Sequence, residues 1–431
     1  MAQTPVAPER RGGSVAPRRP QRPAPDTNPY YERVARHFRH AKHFTLLVLI
    51  LFLLASFTFN RSEITIENLQ YMMKFISFTN TETSITAPRI TYSSSDDTSL
   101  GLFIGDLCYL SPQGYWLYDS RGNTIMTESI KYASPELHIS EKFTLCYDMG
   151  GYSFSIFNTY SKLYSETTEY PVWDADIADD GSFAVASSSR QYRTQVTLYD
   201  SDFKPVSRVL KDKYLMDVQC KADGSEVAIM TISTKDGAYY TTIDLVTPGE
   251  ETARKVCELD GLGYSLFYTD GGFAVITDER ICFLDEELTL RGAAELDSSL
   301  AMADCAGKYL TCIFKSGVVG NSYTAVIYDV SGSAQRGKTV YQGEFDGKLA
   351  AVSHDESGDY IFILMGQTLW RVNLYNKKIG STALESSGFD VLPQSADSFL
   401  LATQNYALTY TPEDWNEEYY DRNTSETTEV S

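Results

Sequence analysis

Eight times between Trp116 and Thr411 the chain runs through a short apolar strand and stops, seven times at Asp or Asn. The tails read WLYD (Asp119), SIFN (Asn158), TLYD (Asp200), TIDL (Asp244), CFLD (Asp285), VIYD (Asp329), RVNL (Asn373) and a degenerate ALTYT at Thr411, separated by 39, 42, 44, 41, 44, 44 and 38 residues. Between them a second motif recurs, a tight turn followed by alternating apolar residues: ADDGSFAVAS, KADGSEVAIM, YTDGGFAVIT, DCAGKYLTCI and DESGDYIFIL. Asp-Gly before such a run is a hairpin signal, because glycine accepts the positive φ that the turn needs. A period of roughly 40–45 residues with several strands per unit is the pattern of a β-propeller. One four-stranded blade cannot bury both of its faces; radial stacking covers them and leaves only short edges.

Weaker copies of the turn motif, HISEKFTLCY and PQSADSFLLA, and further strands such as PVSRVLKD, GKTVYQG and KIGSTALES bring each unit to four strands. The expected fold is therefore all-β, a propeller of eight blades, with seven as the alternative if the first and last units share one. The last unit lacks an outer strand after Thr411, and a stretch such as Ser84–Ala87 is expected to supply it and close the ring. A β-solenoid or a pair of sandwiches is the competing architecture.

Ahead of the repeats, Phe44 to Phe59 reads FTLLVLILFLLASFTF, 16 residues without a charge. A membrane-spanning helix takes roughly 20 apolar residues and at least about 17. With His43 and Asn60 at headgroup depth, the run is expected to span as an uncleaved anchor. The alternatives are a signal peptide, for which the basic region in front is too long, and a buried helix. Residues 1–43 hold nine Lys/Arg and three Asp/Glu, and 37 − 9 = 28 basic and 57 − 3 = 54 acidic residues follow them. The basic side is expected in the cytoplasm and the acidic bulk outside the cell membrane. This charge excludes general nucleic-acid binding.

The expected organisation is a disordered basic cytoplasmic segment over 1–43, a transmembrane helix over 44–60, a juxtamembrane helix and linker over 61–82, the propeller over 83–415 and a disordered acidic tail over 416–431. The juxtamembrane helix is read from the 3.6-residue period of Ile66, Leu69, Met72, Met73 and Ile76. Seven cysteines, Cys108, Cys146, Cys220, Cys257, Cys282, Cys305 and Cys312, leave at least one thiol free and show no CxxC spacing. They read as small buried hydrophobes, with a Cys305–Cys312 bridge as the alternative pairing.

Motifs for chemistry are sparse. Beyond the apolar run only His138 and His354 occur, and there is no HExxH helix, GxSxG elbow, P-loop or GxGxxG. No catalytic, metal or cofactor-binding residue is therefore singled out, and no cofactor is expected. His354, at an expected blade turn, reads as a satisfied or solvated turn histidine in preference to a catalytic one. Asp174, Asp176, Asp179 and Asp180 in WDADIADDGS lack the alternation and the closing Glu of a calcium loop, and read as turn chemistry. Tyr118, Tyr199 and Tyr328 recur at one register and read as blade packing, whereas Trp116, Trp173, Trp370 and Trp415 do not recur and are candidates for contact with a partner.

A basic N-terminal segment, one span, a short helix like ITIENLQYMM and repeats such as YDSRGNTI and LYDSDFKP resemble the bacterial domain of unknown function 5711 family, over most of residues 40–412. The resemblance implies a single-pass membrane protein with a WD40-like or quinoprotein-like propeller, and carries over no activity and no functional residues. The docking Trp of quinoprotein repeats is absent from GNTIMTE and FKPVSRV. The expected function is a membrane-anchored extracytoplasmic binding or scaffold module for a protein or cell-envelope partner, and not an enzyme. The alternatives are a transmembrane sensor answering through its basic tail and a carboxylate-based hydrolase or lyase.

Overall fold

The computed structural model describes residues 37–38, 40–52, 89–92, 97–296, 298–317, 320–332, 336–412 and 414–420. The chain divides into two units, Met1–Thr79 and Asn80–Ser431. In the first, residues 40–52 are helical, and Phe44 and Leu46 to Phe52 are exposed. Among the described residues no helix is long and apolar enough to cross a membrane. The rest of the apolar run, the expected helix over 61–82 and the proposed closing stretch Ser84–Ala87 lie outside the described residues.

The second unit is a ring of eight antiparallel sheets. Blades 1 to 8 span 99–128, 135–167, 172–211, 214–260, 263–295, 300–346, 349–383 and 390–410. This decides for eight blades over seven and for a propeller over a solenoid. Within each blade the strands follow in chain order, and the first strands meet those of the next blades around the axis. Turns between first and second and between third and fourth strands thus emerge on one face, here the turn face. The second-to-third turns and the links between blades emerge on the other, the link face.

The recurring tails are turn caps. Asp119 Oδ1 accepts the N–H groups of Arg121 at 2.9 Å and Asn123 at 2.8 Å, and Asp200 and Asp285 repeat the pattern in blades 3 and 5. A short carboxylate holding backbone amides two and four residues on is what turns a third strand into a fourth. Asp244 departs from the rule. Its third strand, Ala238–Val246, runs past it, and the carboxylate instead pairs with Lys211 Nζ at 2.7 Å. The Asp-Gly turns join first to second strands as expected, with Gly181 at φ +91° and Asp180 Oδ1 capping Ser182 N at 2.8 Å.

Blade 8 has only three strands of its own, and Arg89–Thr91 supplies the fourth, pairing Ile90 with Ala407 and Thr91 with Tyr406. The closing strand therefore comes from the N-terminal side, as expected, at Arg89–Thr91. The acidic tail departs from its expected start at 416. Asn416–Tyr419 adds a fifth strand to blade 7, because Glu417 pairs with Lys378 Nζ at 2.8 Å and Arg371 Nη2 at 2.5 Å.

The core lies between blades and not within them. Eight clusters of buried apolar side chains map one to one onto the eight seams. The seam between blades 8 and 1 joins Ile90, Leu400 and Ala407 to Leu107, Tyr109 and Tyr118. All seven cysteines are free, and Cys305 and Cys312 pack in one seam without a bridge.

If closure holds the ring, Ile90→Asp should destabilise the unit by at least about 3 kcal/mol. Val206→Asp, on an exposed outer strand, should cost under about 0.5 kcal/mol. Denaturant unfolding of both variants checks this, and equal midpoints would sink it.

Candidate functional site

A first strand is hydrogen-bonded on one side only, so its other edge needs partners. Asp174 Oδ2 in blade 3 accepts Val218 N of blade 4 at 2.8 Å, and Asp217 Oδ2 in blade 4 accepts Leu266 N of blade 5 at 2.9 Å. Asp176 Oδ2 accepts Cys220 N at 2.6 Å, and Asp304 Oδ2 accepts His354 N at 2.8 Å. The register explains the recurrence. First strands of blades 3 to 7 each carry a bulge near their start, at Trp173, Met216, Tyr264, Ala301 and Ala350. Asp174 and Asp217 follow the bulge directly, and Asp176 and Asp304 lie two residues beyond that position. Asp174 and Asp176, read from sequence as part of a turn, thus belong to the channel strand Val172–Ile177; only Asp179 and Asp180 serve the turn.

The remaining carboxylate oxygens close a network. Tyr147 donates to Asp174 Oδ1 at 3.0 Å, Gln219 Nε2 to Asp217 Oδ1 at 3.1 Å, and His138 Nδ1 lies 3.2 Å from Asp176 Oδ1. Burial, with the charge of Asp174 beside it, pushes Asp217 up to about 7. Burial also raises Asp174 and Glu136, and takes Asp390 in blade 8 to about 6. Burial alone would lower His138, but the Asp176 hydrogen bond and the charges of Asp176, Asp174 and Asp217 outweigh it and raise it to about 9. Among the described residues no group of His, Cys, Asp and Glu is placed to hold a metal ion.

His354 joins a second tie. Its Nδ1 lies 2.8 Å from Asp304 Oδ2 and its Nε2 3.0 Å from Thr311 Oγ1. Hydroxyl, imidazole and carboxylate stand in the order of a nucleophilic triad. Thr311 is 0% exposed, however, and the His354 side chain 1%. A substrate has no access to that hydroxyl, and the group instead fastens blade 6 to blade 7. Burial acts to raise Asp304, but the His354 bonds hold it below the usual carboxylate range.

The link face is where side chains are available. Met149, Tyr152, Trp173, Tyr214, Tyr239 and Tyr264 are each 45–57% exposed. Met149 and Tyr152 lie in the second-to-third turn of blade 2, Tyr239 at the start of the third strand of blade 4, and Trp173, Tyr214 and Tyr264 at the starts of first strands in blades 3 to 5, so they occupy successive blades on one face. Tyr192, in the corresponding turn of blade 3, is also exposed. The arrangement is held firmly. Val172 N donates to Gly151 O at 2.7 Å and Gly150 N to Val172 O at 2.7 Å, sewing the blade 2 turn to the strand that carries Trp173. Trp173 Nε1 donates to Ser188 Oγ at 2.7 Å, and the Arg193 guanidinium lies 4.2 Å from the centre of the Tyr214 ring. On the turn face Ile104, Tyr160 and Tyr375 are exposed singly, in blades 1, 2 and 7.

Of the four tryptophans considered as contact residues, only Trp173 is available. Trp370 packs on Phe345, Trp415 lies between Arg371 and Phe362, and Trp116 rests against Tyr109. Tyr118, Tyr199 and Tyr328 are buried in seams, as their recurrence implied. Sequence reasoning missed Tyr152, Tyr214, Tyr239 and Tyr264. Their signal was register, since Trp173, Tyr214 and Tyr264 all fall at the opening of a first strand.

Residues 76–409 match the model of a family described as "Family of unknown function (DUF5711)". None of the curated proteins compared matches the chain. Among solved structures, BamB from Moraxella catarrhalis is similar with a TM-score of 0.51 at 10% identity, covering 76% of this chain and 98% of that one. The dihydro-heme d1 dehydrogenase NirN, in complex with DHE, gives 0.52 at 13% identity, covering 77% and 76%. At these identities the likeness is one of fold.

The channel network predicts a pH dependence. Between about pH 4 and pH 7 the folded ring keeps a proton on Asp217 that the unfolded chain releases. Stability from this group therefore falls as pH rises through that window. His138 acts in the same direction over a higher window: its contribution is whole below about pH 6.5 and is lost as pH passes about 9. Asp217→Asn should match the parent at pH 4 and exceed it by about 2 kcal/mol at pH 8. Urea unfolding at pH 4, 6 and 8 measures this, and a difference that does not change with pH would overturn the assignment.

Proposed function

The chain belongs to the family of unknown function DUF5711, and we propose that its ring is a membrane-anchored, extracytoplasmic binding module that docks a partner protein on its link face. One observation carries the reading, the exposed Met149, Tyr152, Trp173, Tyr214, Tyr239 and Tyr264 on one face of the successive blades 2 to 5. Aromatic residues, Met and Arg are the types enriched at the centres of protein interfaces. A few Trp, Tyr and Arg side chains supply most of the binding energy there. Here Arg193 lies against Tyr214, and Trp173 is fixed by its bulge and by Ser188. Side chains ordered beforehand lose little entropy on binding. Large apolar side chains exposed together on one face are also costly to leave in water, which favours a partner that covers them.

Anchoring is supported by the helix over 40–52, where Phe44 and Leu46 to Phe52 all face outward, and by the apolar sequence that continues to Phe59. The basic balance before the run favours an inner N-terminus and an outer ring. A binding role, rather than catalysis, is favoured by the closed state of the polar groups: the His354 triad is sealed, and the channel carboxylates hold backbone amides.

Trp173→Ala combined with Tyr214→Ala should reduce in-cell crosslinking of the specific partner at least about tenfold. Both residues are half exposed, so the melting temperature should stay close to that of the parent. Tyr375→Ala, on the turn face, should leave capture unchanged. Retained capture by the double variant would refute the link face as the docking site.

A further inference from the structure

Two seams on the turn face are plugged by arginines of the chain itself. Arg336, 4% exposed, enters between blades 5 and 6 from the third-to-fourth turn of blade 6. It donates Nη1 to Gly271 O at 2.5 Å and Nη2 to Thr269 Oγ1. Arg371, 5% exposed, enters between blades 7 and 8 and donates Nη1 to Ala396 O at 2.7 Å, with its guanidinium 4.2 Å from the Trp415 ring centre. In both, a planar cation meets the backbone carbonyls of a first-to-second-strand turn.

Between blades 4 and 5 the same face carries an open cleft of about 630 Å³, lined by Glu226, Arg254, Tyr268, Asp270, Phe273 and Glu286 among others. Arg254 is already committed, to Glu226 at 2.7 Å and Glu287 at 3.1 Å. Among the described residues the carboxylates of Asp270 and Glu286 make no ion pair, and the Tyr268 hydroxyl is buried without a hydrogen-bond partner. Tyr268 and Phe273 pack as an apolar wall, with ring centres 4.5 Å apart and planes tilted by 48°. Carboxylates outside any ion pair beside an apolar wall are complementary to a cation on a hydrocarbon stem, although the charge of Asp270 is also felt by Arg336 in the next seam.

We propose that this cleft receives an arginine side chain presented by a partner protein, completing from outside the plug that Arg336 and Arg371 supply from within. Arginine is favoured over lysine because its flat fork meets carboxylate and carbonyl oxygens together and stacks on aromatic rings. The acidic balance beyond the apolar run draws such a segment in. The site lies on the face opposite Trp173 and does not depend on the docking proposed there.

The test uses the full chain in detergent micelles and the peptide acetyl-Gly-Arg-Gly-amide, with citrulline or lysine at the same place, followed by ligand-observed NMR titration. Saturable binding of the arginine peptide is expected, weaker by at least about tenfold with citrulline and by a smaller factor with lysine. Glu286→Gln and Tyr268→Phe should each weaken binding severalfold while leaving the melting temperature in place, since neither removed group has a partner in the protein. Glu356→Gln, on the same face outside the cleft, and Trp173→Ala should bind as the parent does. Absence of saturable binding, equal binding of citrulline, or equal loss in Glu356→Gln would overturn the proposal. The last outcome would leave only diffuse attraction to an acidic ring.

Discussion

Three residue pairs hold the ring shut. Arg89, Ile90 and Thr91 pair with Leu408, Ala407 and Tyr406, and without them blade 8 would end in an unpaired third strand. Every apolar cluster straddles two blades, so each blade's interior is half owned by its neighbours. A repeat array that stayed open would leave two half-cores facing water. Joining them covers the last seam, between Ile90 and Leu107, with no additional blade. The dependence also runs the other way. Three pairs could not hold the chain ends together alone; the seven remaining seams bring Tyr406 and Arg89 within reach.

Closure creates a channel, and the channel creates a polar problem. First strands present unpaired amides toward one another around the axis, where burial would make them costly. Asp174, Asp176, Asp217 and Asp304 answer with carboxylates at two fixed registers beyond a shared bulge. The solution crowds negative charge in a narrow space. That crowding and burial raise Asp174 and Asp217, and the same charges hold His138 protonated. The acids of the channel are thus a structural consequence of its geometry.

The architecture was legible because it rests on local chemistry. An Asp capping amides two and four residues on leaves the same mark wherever a third strand turns into a fourth, as at Asp119, Asp200 and Asp285. Spacing of the marks counted the blades. What escaped depends on distant contacts. Arg89–Thr91 is three residues without a pattern, and Asn416–Tyr419 is polar and exposed throughout, so neither announces a strand. The docking face was hidden for another reason. Tyr199 inside a seam and Tyr214 on the surface are the same residue type in similar apolar runs, and only their place relative to a strand's opening separates them. WDADIADDGS mixes two environments within seven residues, channel at Asp174 and turn at Asp180, and composition alone merges them.

The strand that completes blade 8 also carries the connection toward the helix over 40–52. Tension along that connection would load the Arg89–Thr91 pairs directly, ahead of any seam. The shortest strand of the ring is thus also the one by which the chain enters it. Pulling from the N-terminal side strips one short strand and uncovers Leu107 and Tyr109, whereas a push against either face is shared by all eight seams. Load along the entering strand and load on a face would therefore fall on different contacts, the three Arg89–Thr91 pairs in the one case and the eight seams in the other.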